Sequence, residues 1–165
     1  MQLTHYNNRF KKRKFPIFLI CDNVTNAPNI GSLFRIADAF GVEKLILCGE
    51  VNLGRKVTKT SRSTEKYVPY EIHDSTLEVV KDLKNEDIQM MAIEITKTSQ
   101  AIQTYQFPLS RPIALIVGDE NFGVSEDVLE MMDDTIHIEM FGENSSMNVA
   151  QATNIALYEL TRQLL

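Results

Sequence analysis

The sequence predicts an α/β fold in which a mostly parallel sheet is flanked by helices. Two observations carry this. The first two apolar runs, Phe15 to Cys21 and Lys44 to Cys48, are nearly continuous rather than alternating, as in strands buried on both faces. Between successive runs lie stretches with helical spacing, so strand and helix alternate along the chain. A length of 165 residues, 44% hydrophobic and 24% charged, suits a single domain over residues 1–165, with residues 1–14 as a short basic tail.

After the run ending at Asp22, Pro28 and Asn29 stand where a helix begins. Ile30, Leu33, Phe34 and Ala37 recur at helical spacing, and Gly41 is placed as a C-cap. The pattern then repeats: a strand over Tyr67 to Ile72, an amphipathic helix over Ser75 to Leu83, and a strand over Ile88 to Ile95. The run Ile113 to Val117 breaks at Gly118, and Ser125 with Glu126 and Asp127 caps a helix reaching about Met132. Thr135 to Met140 alternates like a last strand, and Asn148 to Leu165 carries the stripe Val149, Ala152, Ala156 and Leu160 of a closing helix. Residues 49 to 66 are polar and basic and are expected to form a long functional loop.

In an open parallel sheet, ligands bind beyond the carboxyl ends of strands. Three predicted strand ends carry unusual residues: Asp22 to Arg35, Gly118 to Gly123, and Asn144 to Asn148. Taken singly, each has a plain structural explanation. Arg35 can pair with Asp38 along its helix, the glycines can permit turns, and Ser146 can cap the last helix. Their common position at strand ends is what suggests convergence on one cleft.

The net charge of -5 argues on average against a polyanion partner. The distribution argues otherwise. Arg9, Lys11, Lys12, Arg13 and Lys14 precede the first acid, and Arg55, Lys56, Lys59, Arg62 and Lys66 face only Glu65, so ten of the 17 bases lie in two clusters. Either cluster alone reads as a solvated loop or tail; two of them on an otherwise acidic chain point to a polyanion partner. Nucleotide-binding glycine loops and the nucleophile elbow are absent, and His5, His73 and His137 are isolated, so no metal site is expected. Cys21 and Cys48 do not make a disulfide framework. No apolar run approaches the roughly 20 residues that span a bilayer, which points to a soluble, cytoplasmic chain.

The three clusters, in this order, resemble the three motifs of the SpoU (TrmH) branch of the SPOUT RNA methyltransferases. They read Asn29-x-Gly31-x-x-x-Arg35, Gly118-x-Glu120-x-x-Gly123, and Ser146-Met147-Asn148-Val149 leading into the last helix. The resemblance covers nearly the whole chain. It implies an α/β knot with a C-terminal trefoil, a homodimer, S-adenosylmethionine as donor, and methylation of a ribose 2′-hydroxyl in RNA. Transfer RNA is favoured over ribosomal RNA, whose enzymes commonly carry an added N-terminal domain; a non-catalytic RNA-binding relative is the other alternative.

By resemblance, Arg35, Asn29, Glu120, Ser146 and Asn148 form the catalytic set, and Ile95, Thr96, Gly118, Ile138, Met140, Ser146 and Met147 hold the donor. Lys11, Lys12, Arg13, Lys14, Arg55 and Arg62 are expected to contact RNA. Arg35 would act at the 2′-hydroxyl, as general base or as electrostatic stabiliser. The second role is chemically easier, because a guanidinium loses its proton only above about pH 12. The chain departs from the family pattern at Glu139, at Ala150 and over Ser61 to Thr64, where relatives often have Pro, Ser and a Gly-containing stretch.

Overall fold

The computed structural model describes residues 10–165, so Arg9 and His5 lie outside the described residues. Seven strands form one sheet in the order β3-β2-β1-β6-β4-β7-β5. They are β1 (Phe15–Asp22), β2 (Val42–Cys48), β3 (Tyr70–His73), β4 (Gln89–Ile93), β5 (Gln100–Ala101), β6 (Ile113–Gly118) and β7 (Asp134–His137). Every pairing between them is parallel. The helices are α1 (Ala27–Ala39), α2 (Arg55–Ser61), α3 (Thr76–Lys84), α4 (Glu126–Leu129) and α5 (Val149–Leu164).

The period-2 geometry of a strand sorts its side chains onto two faces, and both faces are covered. Ile17, Leu19 and Cys21 of β1 join Leu115 of β6 in a core with Ile30, Leu33, Phe34, Val57 and Leu157 from the helices. Ile20 of β1 joins Ile116, Val79, Val80 and Val128 in the other. This double burial explains the near-continuous apolar runs. Pro16 has no N–H for the ladder, and the β1–β2 register shifts between Phe15 and Phe18 to absorb it. Cys21 and Cys48 are buried free thiols, and burial pushes Cys48 up to about 11.

Several boundaries differ from the sequence reading. Residues 49 to 66 are not a continuous loop: α2 occupies Arg55–Ser61 and a 3-10 turn occupies Thr64–Lys66. Too short to show helical periodicity, α2 is held by packing. Gly31 of α1 lets it approach so closely that a Cβ there would sit 2.5 Å from Thr60 Cβ and 2.9 Å from the Ser61 backbone nitrogen. The third strand starts at Tyr70, after Pro69, rather than at Tyr67. The last strand ends at His137 instead of Met140, and α4 is a single turn that stops at Leu129. The fifth strand, Gln100–Ala101, was not foreseen because two residues carry no pattern.

Arg62 (φ 52°, ψ 41°) and Ser63 (φ 66°, ψ 15°) are consecutive left-handed residues that end α2. Each non-glycine residue there costs about 1 kcal/mol or more. The corner is held by the buried Ser61 hydroxyl, which accepts from the Ser63 N–H at 3.2 Å and donates to Glu65. Replacing Arg62 with Gly is expected to raise stability by about 1 kcal/mol, since the relieved strain outweighs the added freedom of the unfolded chain. Chemical denaturation checks this, and a loss of stability would contradict the strain.

Candidate active site

The site is built where the chains leaving β1, β6 and β7 meet. Asn26 caps α1 through the Asn29 N–H at 3.2 Å, and Pro28 pre-sets the first turn. The loop after β6 folds back on itself: the Gly123 N–H donates to Asp119 O at 2.7 Å. A Cβ on Gly118 would lie 2.1 Å from the Gly123 carbonyl carbon, and Gly123 itself is left-handed at φ 68°. Asn148 caps α5, its side-chain oxygen accepting from the N–H groups of Ala150 (3.0 Å) and Gln151 (3.3 Å).

These three pieces converge on Glu120. Its Oε1 accepts from Asn29 Nδ2 at 2.5 Å, from Asn148 Nδ2 at 2.8 Å and from the Val149 N–H at 3.5 Å. Asn148 Nδ2 also donates to Asn29 Oδ1 at 3.0 Å. One residue from each motif thus enters a closed polar triangle, and the carboxylate faces the first turn of α5, where the helix dipole favours negative charge.

A cavity of about 110 Å³ opens beside the triangle, lined by Gly118, Asp119, Glu120, Gly123, Met147, Val149 and Ala152 with Ile93, Glu94 and Val117. Of the seven residues expected to hold the donor, Gly118 and Met147 line it. Ile95, Thr96, Ile138, Met140 and Ser146 stand on neighbouring segments. The Ile95 N–H is taken by Glu94 Oε1 at 2.9 Å and the Thr96 N–H by Ser99 Oγ at 3.0 Å. Ser146 is exposed and its N–H donates to Asn144 Oδ1 at 3.0 Å.

Arg35 does not line that cavity. It lies on a broader groove of about 450 Å³ between α1 and α5, with Ser32, Ile36, Ala39, Ala150, Gln151, Asn154 and Asn148. Asn148 is the shared wall: its amide reaches Glu120 on the cavity side while its residue borders the groove. Arg35 is exposed and has no hydrogen bond or ion pair among the described residues, so the Asp38 pairing left open by the sequence is not made.

Two acids matter that the motif spacing did not reveal. Glu94 ends β4's apolar run at the cavity, its Oε2 accepting from the Val124 N–H at 3.1 Å. Asp22, 1% exposed at the end of β1, accepts from Thr76 Oγ1 (2.5 Å), Ser125 N–H (2.8 Å), Ser125 Oγ (2.6 Å) and Asn23 Nδ2 (3.1 Å). Such saturation compensates burial of the charge and ties the loop after β6 to β1 and α3. An acid closing an apolar strand was the available signal for both.

The expected RNA contacts separate into two places. Arg55 and Arg62, with Lys56 beside them, are exposed on or beside α2, which follows the carboxyl end of β2. Lys11 and Lys12 are exposed, but Arg13 donates to Leu164 O at 3.3 Å and lies 4.6 Å from the Phe15 ring centroid, and Lys14 donates to Val42 O at 3.0 Å. These two mark the opposite edge, about 25 Å away at the rise of a strand as long as β1.

Comparison with known proteins places the chain in a family. The model of the SpoU rRNA Methylase family matches residues 16–158. The tRNA (guanosine(18)-2′-O)-methyltransferase of Aquifex aeolicus is 32% identical over 93% of this chain and 72% of that protein. The 23S rRNA (guanosine-2′-O-)-methyltransferase RlmB of Blochmanniella floridana is 30% identical over 93% of this chain, which spans only 60% of that relative. Among solved structures, the SpoU methyltransferase AviRb from Streptomyces viridochromogenes in complex with AdoMet superposes with a TM-score of 0.79 at 26% identity, covering 94% of this chain and 62% of that one. With all three motif residues joined at one carboxylate and the family match spanning β1 to α5, the chain belongs to the SpoU rRNA Methylase family.

Proposed function

We propose that this protein transfers a methyl group from S-adenosylmethionine to a ribose 2′-hydroxyl of RNA in the cytoplasm. The observation that carries the proposal is the Asn29–Glu120–Asn148 triangle between the acidic cavity and the Arg35 groove. Transfer RNA is the preferred class, being what the Aquifex relative is named for, and that is the relative of which this chain spans the larger share. Ribosomal RNA is the alternative.

The cavity suits a cationic donor: Glu94, Asp119 and Glu120 line it, and no Lys, Arg or His does among the described residues. S-adenosylmethionine, when bound, supplies a methyl already activated on a sulfonium. Gly118 and Met147 would hold it, with Glu120 fixing the loop that shapes the wall. Arg35, exposed across Asn148, would bind the phosphate beside the target ribose and stabilise the alkoxide as the hydroxyl loses its proton. Asn29 and Asn148 would orient the ribose from the triangle.

A second copy is proposed to pack against the α1–α5 face beside Ile36 and Ala39, flanked by Tyr158, 63% exposed and on the same face of α5, with Arg35 left at the open rim of the groove. We further propose that the C-terminal segment is knotted, residues 1–165 forming a single domain. Supporting this, β7 follows β5 in the chain yet sits between β4 and β5, and α5 then returns to pack on α1. For RNA, the favoured phosphate contacts are Arg55, Lys56 and Arg62, since Arg13 and Lys14 are engaged at the far edge. Lys11 and Lys12 precede them there.

Arg35→Ala is expected to lower kcat/KM for methyl transfer by at least a hundredfold while S-adenosylhomocysteine binds as before by calorimetry. Mass-spectrometric mapping of ribose methyls in RNA from cells with and without the gene names the RNA, and retained turnover in the variant would defeat the assignment. Changing Arg55, Lys56 and Arg62 together to Gln should reduce the slope of log affinity against log salt by about 2 to 3, as released counterions predict. An unchanged slope places the RNA elsewhere. Tyr158→Glu should shift sedimentation equilibrium toward the monomer, and an unaltered mass would remove the α1–α5 face as the interface.

A further inference from the structure

We propose that Phe122 is a stacking surface for an unpaired nucleobase next to the methylated ribose. The inference rests on the RNA reading above and adds the class of RNA: a single-stranded or extruded nucleotide rather than a paired one.

The phenyl ring is 90% exposed, although it stands on a loop that is firmly held. Asp119 and Gly123 form an antiparallel bridge, the Asn121 N–H donates to Asp119 Oδ1 at 2.8 Å, and the Val124 N–H is bound by Glu94. Glu120, Asn121 and Phe122 are therefore the tip of a pinned hairpin. Within it Glu120 turns inward to Asn29 and Asn148, and Phe122, two residues on, is left in solvent. A ring left unburied on a held backbone forgoes the stabilisation that a core would give it, and only its two side-chain torsions remain to be ordered when something flat settles on it.

Its surroundings favour a base over an apolar peptide. Phe141 (91% exposed) and Ile95 (55% exposed) stand on the loops after β7 and β4, and β6, β4 and β7 are consecutive in the sheet, about 4.8 Å apart. Lys97 is exposed on the same loop as Ile95, and Arg35 lies in the separate groove beyond Asn148. Apolar rings standing singly beside the cavity suit a nucleobase, which offers a π-face, while its phosphate would be met by Lys97 or Arg35 and not by the acids that line the cavity. This also supplies what the polar triangle lacks, since hydrogen bonds at Glu120 hold loops and say nothing of the base.

The test uses the full chain and a short single-stranded oligoribonucleotide carrying 2-aminopurine, whose fluorescence is quenched by stacking. The native protein and Phe122→Tyr are expected to quench it. Phe122→Ala should bind about tenfold more weakly without quenching, with S-adenosylhomocysteine affinity and sedimentation unchanged. A perfectly paired duplex of the same sequence should bind both proteins alike. Equal quenching and affinity in Phe122→Ala, equal dependence on Phe122 with the duplex, or loss of self-association in the variant would each overturn the proposal. If the native protein shows no salt-dependent affinity for RNA, the RNA reading fails and takes this one with it; salt-dependent binding with unaltered quenching removes the stacking alone.

Discussion

The architecture of the site depends on one carboxylate oxygen. Glu120 Oε1 collects donors from Asn29, Asn148 and the Val149 backbone, positions as much as 91 residues away in the chain. Without it, two amide donors and a helix N-terminus would converge with nothing to receive them. The carboxylate thus fixes where α1 and α5 begin relative to the loop after β6. The cavity on one side and the Arg35 groove on the other are the two spaces left around that junction.

Charge is divided in the same manner. Acids line the cavity, exposed cations occupy α2 and the outer face of α1, and the chain keeps a net charge of -5. An overall negative protein can still present a polyanion with a positive edge, because at physiological salt fields decay over about 8 Å and local arrangement outweighs the total. Arg62 illustrates what this arrangement costs. It occupies a left-handed position in which glycine would sit without strain, and the guanidinium stands out from the end of α2.

Much of the fold was legible because strands buried on both faces are written as continuous apolar runs. Phe15 to Cys21 and Ile113 to Val117 each missed their strand by a single residue. Elements stabilised by tertiary contact were less visible: α2 has one turn's worth of pattern in Val57 and Ser61, and its position follows from the absence of a side chain at Gly31. At the site, the polar triangle was legible through its three motifs. Asp22 stood at the head of the first cluster without its tie to α3 and the loop after β6 being visible, and Glu94 was not marked, since a single acid after an apolar run looks like an ordinary strand end. The separation of Arg35 from the cavity was also hidden, because helical spacing gives the face of a residue but not which of two adjoining hollows that face borders.

Asp22 gives the rear layer of the molecule a stake in the front. By binding Thr76 at the head of α3 and Ser125 before α4 with one buried carboxylate, it makes the hairpin bearing Glu120 an extension of the helices behind the sheet. Residues packed there, such as Val80 and Val128, line neither the cavity nor the groove, yet a shift in their packing would be carried through Asp22 to the hairpin. The placing of the hairpin that carries Glu120 therefore rests partly on side chains that form no part of the cavity wall.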